Sequence, residues 1–301
     1  MKRIGVLGVG AMGRGVVKNL LNRGYEVYVY DTSAHCCSQA DDLGALVLTN
    51  PHEVGSKVEL LLASLPTSEA SLEAIGDPDK GALASMNPGS VIVDLSTTAV
   101  SVARELYKRA KDKNIAFLDG PVSGGPMGAE NATMTIMIGG DERALEKVRP
   151  VLEVISGNIF YLGESGAGQT VKICHNMVLA STAVALAESF IVGKKTGVSA
   201  KTLSEVFSVS VANSRTLELF GANLVEGTYE NTIFAVSHMH KDANLFMELA
   251  NELKLPVVAS SAVYQLYNAA INKGLGGNDM TAVAAAAEEL ANTRISDKLE
   301  S

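Results

Sequence analysis

The chain has 301 residues, of which 47% are apolar and 19% charged, and its formal net charge is −8. This composition is typical of a globular protein, and the length is sufficient for one large or two ordinary domains. Aromatic residues make up only 5% of the chain, Trp is absent from it, and no long basic run occurs. These features argue against a nucleic-acid partner and favour a small-molecule ligand.

The amino terminus runs directly into a strand-like segment, which leaves no room for a signal peptide. No apolar run approaches the roughly 20 residues that a bilayer span requires. The cysteines Cys36, Cys37 and Cys174 lack the paired spacing of a zinc site or a disulfide framework. We therefore expect a cytoplasmic protein with reduced thiols, no bound metal and no membrane partner.

A glycine-rich turn follows the first predicted strand. The strand covers 3–7, the turn reads Gly8-Val-Gly10-Ala-Met-Gly13, and a second, alternating strand covers 26–30. A GxGxxG pattern alone is weak, but here a strand precedes it, a helix follows it and an acidic residue, Asp31, lies about 20 residues further on. Glycines let a pyrophosphate approach the backbone, and the helix N-terminus offers it free N–H groups. The segment therefore predicts a dinucleotide-binding βαβ unit.

Asp31 also indicates which dinucleotide binds. Its carboxylate can accept hydrogen bonds from the adenosine ribose hydroxyls and would repel a 2′-phosphate, and no Arg follows it to neutralise one. NAD is therefore favoured over NADP. The cofactor-binding residues predicted in this segment are Gly8, Gly10, Ala11, Met12, Gly13, Asp31 and Thr32.

Strand-like and helical segments alternate through the first half of the chain. Further strands are predicted at 45–48, 59–66, 90–97, 115–118, 135–138 and 158–163, and helices at 34–43, 71–75, 100–113 and 141–155. This alternation predicts a Rossmann-type α/β domain with a parallel sheet and ligands at the carboxyl ends of its strands. Leu65, Pro66, Ser96 and Thr97 would then lie near the nicotinamide, or they are ordinary loop and cap residues.

A loop rich in glycine and proline follows the strand at 115–118 and contains Ser123, Gly124 and Gly125. It should lie at the same carboxyl edge of the sheet. Successive exposed N–H groups and the Ser hydroxyl could hold a carboxylate there. The alternative is a plain turn that leads into the next strand, and the loop sequence does not decide between the two.

The β-rich pattern largely stops near residue 166, which places the domain boundary there. We assign 1–164 to an NAD-binding domain and 165–301 to an all-α substrate or oligomerisation domain, joined through a long interdomain helix. Helices are predicted at 166–197, 200–208, 213–225, 240–253, 258–272 and 281–292, with Asp279 as the N-cap of the last. The apolar surface of this half exceeds what a small domain buries, so we expect a homo-oligomer, either a dimer or a tetramer.

The long helix carries Gly168, Lys172 and Asn176 at four-residue spacing, which puts them on one face. Its other residues are mostly apolar or small, so the helix is expected to be buried on most sides. A lysine stem that reaches the surface is one interpretation. The other is a functional site, because a glycine within a helix fits a place where another group approaches the backbone closely.

Another polar cluster, His238-Met-His240-Lys241-Asp242, is expected at the start of a helix. The two histidines do not share a helical face, which argues against a metal site. Lys241 is a cation near a helix N-terminus, where a negative charge is favoured. It either binds an anionic ligand or pairs with Asp242.

These motifs together resemble those of the β-hydroxyacid dehydrogenase family, which includes 3-hydroxyisobutyrate dehydrogenase and tartronate semialdehyde reductase. The resemblance covers nearly the whole chain. It rests on the glycine turn with Asn19-Leu-Leu and Gly24, on Asp119-Gly-Pro-Val-Ser-Gly-Gly125, on Gly168-Gln-Thr-Val-Lys-Ile-Cys-His-Asn176, and on Lys241-Asp242. His175, Met177 and the segment 213–215 depart from the usual family pattern, which leaves the substrate open.

The resemblance implies roles for several residues. Lys172 would be the catalytic acid/base, and Asn176 would hold the substrate hydroxyl or the lysine. Ser123, Gly124 and Gly125 would bind the substrate carboxylate, and Lys241 would lie beside cofactor and substrate. The implied activity is NAD-dependent interconversion of a small β-hydroxyacid, such as 3-hydroxyisobutyrate, and its semialdehyde by hydride transfer.

Several alternatives within the family remain open at this point. They are tartronate semialdehyde reductase, succinic semialdehyde reductase, 2-(hydroxymethyl)glutarate dehydrogenase and threonate dehydrogenase. An imine reductase would lack the lysine, and a sugar-phosphate dehydrogenase would need clustered Arg and Lys for the phosphate. An alternative of another class is an NAD-binding sensor or scaffold without catalysis.

Overall fold

The computed structural model describes residues 1–296 of the chain. The chain divides into two compact units: the first is Met1–Lys172, and the second begins at Ile173. The domain boundary predicted between residues 164 and 165 stays a prediction. Each unit is described below by itself.

The first unit is built on a nine-stranded sheet. Its strands are β1 (Arg3–Leu7), β2 (Glu26–Tyr30), β3 (Leu46–Val47), β4 (Leu60–Ala63), β5 (Val91–Asp94), β6 (Ala116–Asp119), β7 (Val122–Ser123), β8 (Met134–Gly140) and β9 (Ser156–Tyr161). Strands β3-β2-β1-β4-β5-β6 lie side by side in that order, and each is parallel to the next. This is the strand order of dinucleotide-binding domains, so the predicted fold class is confirmed.

The sheet is mainly parallel, as predicted, but its far edge contains antiparallel pairs that were not predicted. Strand β8 runs antiparallel to both β6 and β7 and parallel to β9. A parallel connection needs a crossover of a dozen or more residues, usually built around a full helix. Only β7 and a short helix lie between β6 and β8, so the chain returns in the opposite direction.

Helices cover both faces of the sheet. In the first unit they are α1 (Ala11–Asn22), α2 (Ala34–Asp42), α3 (Pro51–Lys57), α4 (Ser68–Gly76), α5 (Ala82–Ser85), α6 (Val100–Asp112), α7 (Gly125–Glu130) and α8 (Glu142–Leu152). The short helices α3, α5 and α7 were not predicted, because Gly and Pro interrupt the apolar periodicity there.

Alternate residues of each central strand enter two separate apolar clusters. Leu60 and Leu62 of β4 pack in one cluster, and Leu61 between them packs in the other. Successive side chains of a strand point to opposite faces, so both faces of the sheet are buried. The near-continuous apolar runs of these strands follow from this, and the carboxyl ends of the strands are left as the place where polar groups gather.

The second unit is helical. The helix α9 (Ala167–Lys195) begins in the first unit and continues into the second, where it is followed by α10 (Ala200–Ser208), α11 (Arg215–Glu226), α12 (Val236–Glu252), α13 (Val258–Asn272), a 3₁₀ helix (Met280–Val283) and α14 (Ala284–Ala291). The prediction for α10 and α13 is confirmed at both ends. Asp279 is confirmed as a cap: its carboxylate accepts from the N–H of Thr281 and from the N–H of Ile233.

Helix α12 starts one turn earlier than predicted. It begins at Val236, so Lys241 lies in its second turn and not beside its N-terminus. The electrostatic argument from the helix end therefore does not apply to Lys241, because that effect falls off within the first turn. Apolar Val236 and Met239, both fully buried, set the start of the helix instead.

Helix α9 corrects two expectations. By length and composition it is a candidate membrane span, which contradicts the expectation that no segment approaches that length, although 56% of its apolar window is buried within the protein. It is also less buried than expected, because Val178 and Val192 are 66% and 65% exposed. An apolar core helix passes the same composition test as a span, so the finding is weak support for a membrane role.

Candidate active site

The glycine turn joins β1 to α1, and two of its glycines are required by the packing of the protein itself. A Cβ at Gly8 would lie 2.2 Å from the carbonyl oxygen of Ser64, and one at Gly13 would lie 1.9 Å from the carbonyl oxygen of Gly8. These glycines allow β1, the turn and α1 to approach closely.

Gly10 is different, because no heavy atom lies within 4 Å of the position of its Cβ. It is the N-cap of α1, and its position makes no side-chain capping hydrogen bond. Open space in front of an uncapped helix N-terminus fits a pyrophosphate, which the first N–H groups of the helix can bind. Ala11 and Met12, the first residues of α1, lie at the same place.

Asp31 follows β2 and is held by two backbone N–H groups. Its Oδ2 accepts from Val9 in the glycine turn, and its Oδ1 accepts from Ser33, both at 2.8 Å. Each carboxylate oxygen keeps lone pairs for further donors such as ribose hydroxyls. Thr32 beside it is exposed. The residues present therefore fit the adenosine half of a nicotinamide dinucleotide.

Sequence reasoning missed Arg14, a cation on the helix of the glycine turn. Its guanidinium donates to Oε1 of Gln39 on α2 at 3.0 Å. No local motif signals this pairing, since the two residues lie on different helices. Arg14 thus brings a positive charge to α2, the helix that follows Asp31, whereas the prediction of NAD over NADP considered only the residues next to Asp31.

The ends of β4 and β5 are joined by the side chain of Ser96. Its hydroxyl accepts from the N–H of Leu65 at 2.8 Å, and its own N–H donates to Asp94 at 3.0 Å. Ser96 is buried and caps no helix, since the N-cap of α6 is Ala99. Pro66 is exposed beside this contact, and Thr97 is half-buried. The structure thus brings together the four residues predicted for the nicotinamide side.

Two buried aspartates lie side by side at the carboxyl ends of β5 and β6. Asp94 and Asp119 end the adjacent strands β5 and β6 and are register partners. Burial raises the pKa of Asp94 to about 6, with a smaller contribution from the Asp119 charge. Burial also raises the pKa of Asp119, although backbone N–H groups of Gly166 and Gln169 oppose the shift. Buried carboxylates are costly, and such groups collect at functional sites.

The loop at 123–125 leads from β7 into α7. Ser123 ends β7, paired with Thr135 of β8, and α7 begins at Gly125. Gly124 and Gly125 both have positive φ, +129° and +61°, which other residues rarely adopt. The predicted substrate-carboxylate residues therefore form a turn that depends on glycine.

Helix α7 is anchored to α1, which links this loop to the glycine turn. The amide of Asn19 donates to the carbonyl oxygen of Ala129 at 2.8 Å. A Cβ at Gly15 would lie 2.7 Å from the carbonyl carbon of the same residue. Helix α1, which follows the glycine turn, thus also supports α7, which follows the loop at 123–125. The family pattern includes Asn19, but the local sequence does not indicate this contact.

Lys172 is buried, with 7% of its surface exposed, on the second turn of α9. Gly168, one turn earlier, lies close to the sheet: a Cβ there would be 2.2 Å from the carbonyl oxygen of Met137 and 2.8 Å from that of Asp119. The close approach predicted for Gly168 is therefore made by the sheet. Burial of Lys172 disagrees with a stem that reaches the surface, since lysine is rarely buried without a partner.

In the second unit, Asn176 and Asp242 are buried and hydrogen-bonded to each other. The amide nitrogen of Asn176 donates to Oδ2 of Asp242, and its oxygen lies 2.8 Å from Nδ1 of His175. Lys241 contacts the other carboxylate oxygen of Asp242 at 2.8 Å. The ion pair between Lys241 and Asp242, one of the two possibilities expected from the sequence, is therefore present. Asn176 and Lys241 share one carboxylate.

The cysteines show no sign of a metal site or a disulfide. Cys36, Cys37 and Cys174 are free, and Cys174 is exposed. Among residues 1–296, no three His, Cys, Asp or Glu side chains form a group that could hold a metal ion. The thiol of Cys37 donates to the carbonyl oxygen of Asp31, so it supports the loop between β2 and α2.

Comparisons with known proteins decide the family. The model described as the NAD binding domain of 6-phosphogluconate dehydrogenase matches residues 3–163, and the one described as NAD-binding of NADP-dependent 3-hydroxyisobutyrate dehydrogenase matches 166–287. The 2-(hydroxymethyl)glutarate dehydrogenase of Eubacterium barkeri is 33% identical over 98% of this chain and 97% of its own length. The chain belongs to the β-hydroxyacid dehydrogenase family.

Two further relatives support this assignment. The NAD-dependent L-serine dehydrogenase of Pseudomonas aeruginosa is 33% identical over 94% of this chain and 97% of its own length. A solved structure of 3-hydroxyisobutyrate dehydrogenase from Mycobacterium tuberculosis with L-serine matches with a TM-score of 0.85 at 31% identity, covering 95% of this chain and 98% of that one.

This β-hydroxyacid dehydrogenase is accordingly an NAD(P)-dependent oxidoreductase, as the resemblance predicted. The family assignment replaces the alternative of a sensor or scaffold without catalysis. NAD is the cofactor that the domain matches and the relatives support. The individual site residues stay predictions at this point.

The glycine turn generates a paired prediction. Gly10→Ala should leave the melting temperature within about 2 °C but weaken NADH binding at least about 10-fold, because its methyl would occupy only the open space expected to hold the pyrophosphate. Gly13→Ala should lower the melting temperature by several degrees, because its methyl would meet a backbone oxygen. Thermal melts and NADH fluorescence titrations measure both. Unchanged NADH affinity in Gly10→Ala would remove the turn from the binding site.

Proposed function

We propose that this enzyme interconverts a small β-hydroxyacid of the form HOCH₂–CHR–COO⁻ and the corresponding semialdehyde, with NAD. Support comes from the compounds named for the relatives. 2-(Hydroxymethyl)glutarate, L-serine and 3-hydroxyisobutyrate all contain this unit and differ only in R. The carboxylate and the primary alcohol are thus the constant features that a shared site would recognise, and R is the variable one.

Lys172 is proposed as the acid/base of this reaction. The observation that carries the proposal is its burial, at 7% exposure, on the first turns of a helix packed against the carboxyl edge of a dinucleotide-binding sheet. Lysine is rarely fully buried in proteins, and a buried amine at this edge of the sheet is in a suitable place to exchange a proton with a bound substrate.

The chemistry follows from the substrate. In oxidation, the neutral amine of Lys172 takes the proton of the substrate hydroxyl while the carbonyl bond forms. In reduction, its ammonium form stabilises the negative charge that develops on the aldehyde oxygen and then protonates it. The nicotinamide ring, when bound, accepts a hydride in the first direction and supplies one in the second.

The remaining roles are proposed residue by residue. Ser123, Gly124 and Gly125 bind the substrate carboxylate, since their glycine-dependent turn can direct N–H groups to an anion. Asn176 orients the substrate hydroxyl or the lysine one helical turn before it. Lys241 lies beside cofactor and substrate while its charge is balanced by Asp242.

A substrate panel distinguishes the members of the class. It contains 3-hydroxyisobutyrate, L-serine, 2-(hydroxymethyl)glutarate, glycerate, threonate and 4-hydroxybutyrate, each with NAD and NADP. The proposal expects the highest kcat/KM among compounds with the HOCH₂–CHR–COO⁻ unit. The best rate on 4-hydroxybutyrate, which has one more carbon between alcohol and carboxylate, would point instead to a succinic semialdehyde reductase.

Replacement of the buried amine tests the catalytic proposal. Lys172→Met should reduce kcat at least about 100-fold, which is the low end of what acid/base catalysis contributes, while NADH affinity stays within about twofold. Steady-state kinetics and NADH fluorescence titration are the measurements. Lys201→Met, on the exposed surface of α10, is the matched control and should behave as wild type. A Lys172→Met enzyme with near wild-type kcat would exclude Lys172 as the acid/base.

The proposed NAD preference depends on the charge of Asp31. Asp31→Asn should lower the ratio of kcat/KM with NAD to that with NADP by about 10-fold, because a charged hydrogen bond to ribose is lost and repulsion of a 2′-phosphate is relieved. Asp41→Asn, on the exposed side of α2, removes the same charge as a control. An unchanged ratio in Asp31→Asn would show that another group selects the cofactor.

We propose, in addition, that the enzyme is a cytoplasmic homo-oligomer, a dimer or a tetramer. Exposed apolar side chains on α9, Val178 and Val192, support an interface there, since large valine surfaces are seldom left in water. Sedimentation equilibrium should give a mass two or four times that of the 31.5 kDa chain. A single 31.5 kDa species at micromolar concentration would contradict the oligomer.

A further inference from the structure

We propose that Gln169 is a positioning residue that fixes the loop at Ser96–Thr98 to the helical turn carrying Lys172. The inference rests on the function proposed above and deepens it. It identifies what aligns the proton donor of α9 with the loop predicted to lie beside the nicotinamide. All the residues involved belong to the first unit.

The first contact holds the start of α9 at the end of β6. Oδ1 of Asp119 accepts from the N–H of Gly166 at 2.7 Å, and Oδ2 accepts from the N–H of Gln169 at 3.0 Å. Asp119 is fully buried. A carboxylate that accepts two N–H groups at a helix N-terminus satisfies groups that have no partner within the helix and is stabilised by the helix dipole. The helix start is therefore fixed to the sheet.

The second contact ties the same helical turn to the end of β5. The side chain of Gln169 donates from Nε2 to the carbonyl oxygen of Ser96 at 2.8 Å, and its Oε1 accepts from the N–H of Thr98 at 3.0 Å. The side chain is fully buried. The side-chain amide of Gln169 thus binds both the carbonyl oxygen of Ser96 and the N–H of Thr98, and Thr97 lies between these two contacts.

This loop is also tied to the neighbouring strand end. The hydroxyl of Ser96 accepts from the N–H of Leu65. Gln169 therefore connects α9 not only to Ser96–Thr98 but through Ser96 to the loop after β4. These are the positions predicted for the nicotinamide side, and Gln169 reaches them from the helix of the proposed proton donor.

Geometry along the helix makes the connection specific for Lys172. Gln169 and Lys172 are three residues apart, so their side chains lie on adjacent turns of one side of the helix. Gly168 has no side chain and lets this turn approach the carbonyl oxygen of Met137. A shift or rotation of the turn that carries Gln169 would move the lysine with it. A misplacement of about 1 Å can cost 100-fold in rate.

The test uses the full-length enzyme and Gln169→Met, which keeps the length of the side chain but removes both hydrogen bonds to the loop. Gln265→Met, an exposed glutamine on α13, is the matched control. Lys172→Met and the double variant Gln169→Met/Lys172→Met complete a double-mutant cycle. Gln169→Asn, too short to reach both partners, serves as a second variant should Gln169→Met fail to fold.

Two measurements report on the role. Amide hydrogen exchange at Thr98 in the protein without added ligands should accelerate at least about 10-fold in Gln169→Met and stay unchanged in Gln265→Met, because the N–H loses its acceptor. With 3-hydroxyisobutyrate and NAD, kcat should fall about 10- to 100-fold, with KM for NAD within about twofold. The deuterium isotope effect with C3-deuterated substrate should rise as the chemical step becomes limiting.

The cycle separates this inference from the proposed function. If Gln169 acts through the lysine, Gln169→Met should cause no further loss of kcat in the Lys172→Met background. The positioning role would be overturned, with Lys172 left as the acid/base, if the losses of kcat in the two single variants were fully additive in the double variant. The same would follow if Gln169→Met lowered only the melting temperature and left kcat unchanged. A Lys172→Met single variant with wild-type kcat would overturn the catalytic proposal and the positioning role together.

Discussion

The buried carboxylate of Asp119 is the contact on which the rest of the site depends. It ends the central strand β6 and accepts from the N–H groups of Gly166 and Gln169 at the start of α9, so it joins the sheet to the helix that carries the buried lysine. Burial of a carboxylate is unfavourable by itself, and the raised pKa of Asp119 reflects that cost. The helix N-terminus offsets it with two N–H groups and a partial positive charge.

A second buried carboxylate, Asp94, lies on the neighbouring strand and adds to the energetic cost of burying charge at this edge of the sheet. Asp94 is also fully buried, and its pKa is raised to about 6. The two carboxylates act at the carboxyl ends of neighbouring strands. Asp94 accepts from the N–H of Ser96 after β5, and Asp119 accepts from the N–H of Gln169 at the start of α9. Gln169 then links the helix start to the loop after β5 through its side-chain amide. These contacts join the ends of β5 and β6 and the start of α9 into one hydrogen-bonded network.

Local sequence patterns predicted those strands and helices whose limits depend on the periodicity of their own side chains. The alternating strand at 26–30 and the helix at 258–272 have the predicted limits, because side-chain periodicity alone determines them. The antiparallel edge and α7 were missed, since the Gly- and Pro-rich segment between β6 and β8 reads equally well as a turn. The start of α12 was placed too late because the polar cluster at 238–242 obscured the apolar residues before it.

In the candidate site, too, local sequence spacing predicted some residues, whereas contacts between distant segments could not be predicted. The glycine turn and Asp31 could be predicted because a βαβ unit fixes their spacing within some 20 residues. Asp119 and Gln169 could be quoted only as parts of motifs, because their partners lie far along the chain and meet only in the folded sheet. Burial of Lys172 likewise depends on tertiary packing, so its sequence neighbours suggested it without determining it.

The central claim is that the amine of Lys172 reaches the reacting oxygen of a β-hydroxyacid. A crystal structure of the enzyme with NAD and a bound HOCH₂–CHR–COO⁻ substrate measures this most directly. The account predicts a distance of about 2.6–3.2 Å between Nζ of Lys172 and the substrate hydroxyl oxygen. A separation of more than about 6 Å, too great for one bridging water, with another ionisable side chain at the hydroxyl, would contradict it.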